Sequence, residues 1–235
     1  MVLTLHDCDQ RSNAWFNLRR KTAITGSSVH NVITCNTYSE VYQKMVAEKI
    51  NGVSNSLSHV KAVDHGIICE PFAIARLKRD FGEILEVGFV TNSKYPNMGA
   101  SPDGLIVDYM ETGPVLLEIK CPYTRKLTGE IPIAYRNQMQ FQMLICNVDR
   151  CLYVEAKFPQ GTTTLVEPTE IHSKIVEADP SWYSKNKVKL LRFIDDVNYS
   201  FPKEGDSLIE MLQEVKGQRP KRAYNQTKVV CLLDF

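Results

Sequence analysis

From Glu83 to Phe158 the sequence switches from strand period to helix period and back, and that succession restricts the fold more than any other feature. "EILEVGFVT", "MGASPDGLIVDY" and "PVLLEIKC" are short β-rich runs separated by turn residues, the pattern of an antiparallel meander. "IPIAYRNQMQFQMLICN" changes to a helical period, with Tyr135, Met139, Met143 and Cys146 on one face and Gln138 and Gln142 in a neighbouring stripe. "RCLYVEAKF" returns to strand. Strand, strand, strand, helix, strand, with helices before and after, predicts an α/β fold: a mixed sheet flanked by helices.

The flanks add helices at "TGSSVHNVI", "TYSEVYQKMVAEKI" and "GIICEPFAIARLKRDFG". In the last of these Pro71 suits a first turn, Gly82 closes the helix, and Glu70 stands at its start. Two further helices are expected at "DPSWYSKNKVKLLRFIDDV" and "GDSLIEMLQEV", followed by a basic tail. A chain of 235 residues is too short for two full domains and predicts one domain over 1–235. With no leader-like start and no run of about 18 apolar residues, a soluble, intracellular protein of the cytoplasm or nucleus is expected, with no membrane partner. Seven scattered cysteines, an odd number without close pairs, point the same way. Net charge is +1, so global charge neither demands nor excludes nucleic acid. The five histidines form no paired ligand motif and no phosphate-binding GxxxxGK[ST] loop occurs, which argues against a zinc hydrolase and against an ATP-driven motor.

One stretch, "SPDGLIVDYMETGPVLLEIKCP", carries charges inside an otherwise buried pattern. Alternation along "PVLLEIKCP" puts Glu118 and Lys120 on one face and Leu117 and Ile119 on the other. Asp103 lies fifteen positions before Glu118, and pairing across the "ETG" turn would bring the two carboxylates together. Two carboxylates, water and the main-chain carbonyl of Ile119 suit Mg²⁺, with Mn²⁺ as a substitute. Such a trio supports phosphodiester hydrolysis, with the lysine orienting or deprotonating the attacking water. Spacing alone more often signifies a cross-strand Glu/Lys pair beside a turn aspartate. Asp108 and Glu111 read as surface residues.

The surrounding residues carry more than the spacing does. "SPDG…LEIKCP" resembles the active-site signature of the phage lambda exonuclease, or YqaJ viral recombinase, family of PD-(D/E)xK nucleases. In the same order "WFNLRRKTAITGSSVHNVI", "HGIICEPFAIARL" and "AYRNQMQFQM" are similar to that family's other motifs, and together they cover residues 13–158. The region 159–235 matches nothing.

The resemblance implies a restriction-endonuclease-like nuclease core, Mg²⁺-dependent and acting on DNA. It implies Asp103 and Glu118 as metal ligands, Lys120 at the nucleophilic water, Glu70 as a supporting acid, and Gln138 holding Lys120 or water. Arg20, by spacing from "ITGS", or Arg19, by spacing from Trp15, would meet a terminal 5′ phosphate, with Thr25 and Ser27 adding contacts. The implied activity is a 5′-to-3′ exonuclease resecting linear duplex ends in viral or phage recombination. An endonuclease on the same core and a catalytically silent end-binding module are the alternatives. Double-stranded DNA ends, a single-strand annealing protein and a trimeric homo-oligomer are the partners it implies.

Overall fold

A computed structural model describes residues 2–52, 60–164 and 166–200. The helix expected at 205–215, the basic tail and Cys231 lie outside them. Residues Met1–Val197 form one compact unit, and the grouping Asn198–Phe235 falls, apart from the end of one helix, outside the described residues.

The chain opens with β1 (Leu3–His6) and α1 (Asn13–Lys21), whose start is capped by Ser12 Oγ accepting from the Trp15 amide at 3.2 Å. β2 (Ile24–Thr25) runs directly into α2 (Gly26–Thr34). α3 (Glu40–Asn51) follows, capped by Ser39 and closed by Gly52 at φ 62°, the left-handed turn that glycine tolerates best. α4 (Lys61–Phe81) is longer than its sequence suggests. The stripe His65, Cys69, Ala73 and Leu77, four apart, is buried throughout and carries the helix past Pro71, which lies in its interior and forgoes only the bond to the Ile67 carbonyl. Glu70 is therefore mid-helix, and the helix-start role expected for it does not hold.

The meander of three runs is resolved into five short strands in two sheets. β3 (Ile84–Leu85), β6 (Gly104–Ile106) and β7 (Val115–Lys120) belong to one sheet; β4 (Phe89–Asn92) and β5 (Met98–Ala100) belong to the other. The run Glu83–Thr91 crosses between sheets, and so does the run Met98–Tyr109. Too few residues stay in one extended direction for either to remain a single strand. Gly99 permits the crossing strand to lie against Phe89, whose ring would stand 2.4 Å from an added Cβ.

α5 (Ile133–Cys146) then connects β7 to β8 (Arg150–Lys157), which pairs with it in parallel, and β9 (Glu170–Glu177) adds antiparallel at the edge. The sheets read β1-β4-β5-β2 and β3-β6-β7-β8-β9. β1 and β9, which sequence patterning passes over, fully bury only Val176 between them and so lack a clean alternation. α6 (Trp182–Ser200) confirms the first of the two C-terminal helices.

Two apolar cores sit on the two faces of the larger sheet. Leu117, Ile119, Leu152 and Val154 pack with Cys69, Ala73 and Leu77 of α4. On the other face Leu116, Cys151 and Tyr153 join Met139, Phe141 and Met143 of α5 and Phe193 of α6. Among the described residues no helix is long and apolar enough to cross a membrane.

Candidate active site

Alternation along β7 leaves Leu117 and Ile119 in the α4 core and turns Glu118 and Lys120 to the α5 side. Gly104 pairs with Leu117, so Asp103 stands at the end of the ladder opposite Glu118. Its amide donates to the Leu117 carbonyl at 3.0 Å, and its Oδ2 accepts from the Ile119 amide at 2.6 Å. The expected pairing across the "ETG" turn is present, with Met110, Glu111 and Gly113 at positive φ. Asp108 and Glu111 are exposed.

Glu118 has no exposed surface. Lys120 Nζ donates to its Oε1, and Gln142 Nε2 donates to its Oε2 at 2.8 Å. The Lys120 ammonium also lies 5.1 Å from the centroid of the Tyr135 ring, within reach of a cation–π attraction. Burial and the neighbouring Glu118 push the Asp103 carboxyl well above the usual range. Burial works against the charge on Lys120, but Glu118 and Asp103 outweigh it and raise its pKa.

Glu70 acts on Asp103 from α4 through its charge, and its Oε2 accepts from Arg11 Nη2 at 2.8 Å. No three acids, cysteines or histidines among the described residues converge tightly enough to hold a metal by themselves. The donor set still fits a hard divalent cation. Burial and the Glu118 charge make Asp103 resist ionisation, the mark of a site that lacks a compensating cation, and a Mg²⁺ ion there would complete its shell with water.

Gln138, half-buried one turn before Gln142, shares with it the side of α2: an added Cβ on Gly26 would meet Cγ of each at 3.4 Å. The glutamine bonded to the carboxylate is Gln142, which sequence reading placed only in the stripe beside the helix's apolar face. His30 and His65 are packing residues, the first against Asn137 and the second buried beside Cys69 and Tyr123.

A second constellation lies in a cavity of about 310 Å³ lined by Trp15, Arg19, Arg20, Thr25, Ser27 and Lys49 among others. Both candidate arginines reach it, but they differ. The Arg19 guanidinium stacks on Trp15 at 4.3 Å and donates to Ser27 Oγ at 2.8 Å, while Arg20 is exposed and turned to Asn17 at 3.4 Å. Burial lowers the Arg19 pKa to about 10.

Lys49, which no sequence signal marked, donates to the Arg19 and Thr22 carbonyls at 2.8 and 2.7 Å, satisfying acceptors at the end of α1. Among the described residues these carbonyls take two of its three protons. Burial, then Arg19, lower its pKa to about 8, with Glu48 opposing. Ser28, not Ser27, serves the backbone at the start of α2, its Oγ contacting the Thr25 amide and carbonyl at 3.1 and 3.0 Å. Thr25 joins it in a reciprocal capping box, and with Ser27 it stands at the helix's positive end, beside two cations.

A family model described as the YqaJ-like viral recombinase domain matches residues 14–149. A protein of African swine fever virus is 29% identical over 180 residues, covering 63% of this chain and 50% of its own length. An uncharacterized protein of Acanthamoeba polyphaga mimivirus is 26% identical over 168 residues, covering 65% of this chain and 30% of its own. The chain thus spans half or less of the length of these relatives. Among solved structures, an alkaline exonuclease from Laribacter hongkongensis superposes with a TM-score of 0.67 at 26% identity, covering 88% of this chain and 99% of that one. A phage-related exonuclease from Haemophilus somnus, at 14% identity and a TM-score of 0.56 over 74% of this chain and 93% of that one, shares the fold.

Proposed function

We propose, from the premise that this chain belongs to the YqaJ-like viral recombinase family and has its PD-(D/E)xK-like fold, that it is a Mg²⁺-dependent exonuclease shortening linear duplex DNA from its 5′ ends. The observation that carries the reading is the meeting of Asp103, Glu118 and Lys120 at one end of β7. The cavity that joins Arg19 to Ser27 supports the choice of a DNA end as substrate.

Asp103 and Glu118 would hold the cation, which when bound polarises a phosphoryl oxygen and acidifies water. The chain's own residues do the rest. The Ile119 amide and Gln142 fix the two carboxylates, so their oxygens are set before substrate arrives. Lys120, held protonated between Glu118 and Asp103, orients the attacking water and offsets charge on the phosphate; it does not remove a proton while both carboxylates are ionised. Glu70 supports the cluster from α4, and Gln138 extends the amide lining toward α2. Arg19, Thr25 and Ser27 hold the terminal phosphate at the start of α2, with Arg20 at the rim.

The test is degradation of linear duplex labelled at either 5′ or 3′ ends, beside closed circles, with Mg²⁺, Mn²⁺ or EDTA. Expected is Mg²⁺-dependent loss of the 5′ label from linear DNA only, abolished by Asp103→Ala and by Lys120→Ala. Cutting of closed circles would turn the reading to an endonuclease. End binding without turnover would turn it to a silent end-binding module.

A further inference from the structure

The segment before α1 is pinned against the cutting centre. Gln10 Nε2 donates at 2.9 Å to both the Val87 and Pro102 carbonyls, so it grips the residue next to Asp103. Ser12 caps α1 two residues later. Between these anchors Arg11 adopts φ 69°, a left-handed conformation that costs a non-glycine residue energy and persists only where both sides enforce it.

That strained residue aims its guanidinium at Glu70, with Nη2 to Oε2 at 2.8 Å and 39% of the Arg11 side chain exposed. A guanidinium offers five donors in a rigid fork, and this contact occupies one nitrogen. An isolated surface ion pair would explain little strain, since such pairs contribute about 0–1 kcal/mol. The neighbourhood is different: Gln10 of the same segment holds the Pro102 carbonyl beside Asp103, and the charges of Glu70 and Glu118 both act on Asp103.

We propose that Arg11 is a substrate-contacting residue: it holds Glu70 in the free protein and turns its fork to the DNA phosphate when a divalent cation draws on the carboxylates. The inference rests on the nuclease reading above. It implies opposite effects on two measurements. Without Arg11, Glu70 loses a competing cation and the cluster gains net negative charge, so metal binding tightens. The substrate phosphate meanwhile loses a bidentate partner, so cleavage slows.

The experiment titrates the 235-residue chain with Mn²⁺ alone, followed by calorimetry, and separately measures single-turnover cleavage of linear duplex at saturating Mg²⁺. Wild type is compared with Arg11→Ala, Arg11→Gly and Arg11→Lys. For Arg11→Ala and Arg11→Gly, cation affinity is expected to rise severalfold while cleavage falls about 10- to 100-fold, the range of a lost charge-assisted hydrogen bond. Arg11→Gly relieves the backbone, so loss of cleavage there assigns the effect to the side chain. Arg11→Lys should keep much of the pairing to Glu70 but recover cleavage poorly, because a point charge cannot reproduce the fork.

Unchanged cleavage in Arg11→Gly, or cation affinity and cleavage falling together, would overturn the proposal. Cation binding with no cleavage by wild type would overturn it through the nuclease reading. A wild type that binds no Mn²⁺ but still cleaves would overturn the Arg11 exchange alone.

Discussion

Gln142 holds Glu118 by a 2.8 Å hydrogen bond between two side chains that are 1% and 0% exposed. A buried carboxylate oxygen deprived of its donor costs about 1–3 kcal/mol. Gln142→Leu should therefore lower the stability of the metal-free protein by that order, and Mg²⁺ should restore part of it. Gln142→Glu should be worse without metal, because a second carboxylate would face Glu118. Denaturant melts with EDTA and with Mg²⁺ measure both, and melts that match wild type would remove Gln142 from the site.

Arg19 and Arg20 line one cavity but only Arg19 is stacked on Trp15 and bonded to Ser27. The ratio of cleavage of 5′-phosphorylated to unphosphorylated ends should fall about 10- to 100-fold in Arg19→Ala, the loss of a charge-assisted contact. In Arg20→Ala it should stay near wild type. A fall equal for both kinds of end would count against a phosphate clamp.

Lys49 loses its charge at about pH 8, since burial and the nearby Arg19 both disfavour it. As pH rises through that value, preference for a phosphorylated end should weaken, and Lys49→Met should abolish this pH dependence. Stability runs the other way. The folded protein gives up this proton more readily than the unfolded chain, so from about pH 8 to the ordinary lysine value of about 10.4 the Lys49 contribution becomes more favourable. End-preference ratios one unit either side of pH 8 are the measurement.

Asp103 has its pKa raised by burial and by Glu118, so the folded protein holds this proton more tightly than the unfolded chain. Its contribution to stability is complete below the ordinary aspartate value of about 3.9 and is lost as pH rises through the raised folded value. Metal-free protein should lose melting temperature across that interval, and Asp103→Asn should flatten the slope. Mg²⁺ should stabilise wild type toward neutral pH but leave Asp103→Asn nearly unmoved. A wild-type slope that persists unchanged in Asp103→Asn would place its origin in another group.

Local pattern carried the parts of this molecule that depend on neighbours in sequence. Glu118 and Lys120 share a face because strands alternate, and Asp103 meets Glu118 because the short connection 107–114 lets their strands pair as neighbours. Met139, Met143 and Cys146 of the α5 stripe are buried together because helices repeat every 3.6 residues. What escaped depends on distant contacts. β9 is recruited by β8 through backbone pairing, with little apolar pattern of its own. The helix of Glu70 extends past Pro71 because its buried stripe finds a sheet to pack on. Arg11 and Lys49 reach their positions from separate segments, and neither carries a local motif. Gln142 lay beside the recognised glutamine, one turn away, and only its partner on β7 distinguishes it.

The passage from β5 to Asp103 has a consequence for measurement of length. β2 pairs with β5 and runs straight into the first turn of α2, while β5 ends at Ala100, three residues before Asp103. Three residues span at most about 10 Å, and both ends are tied into sheets. Under the proposed reading the held terminus and the severed bond are therefore separated by a rigid gauge. Every excision from a duplex end would then release a fragment of one size, whatever its base sequence, and lengthening the 101–103 link would change that size.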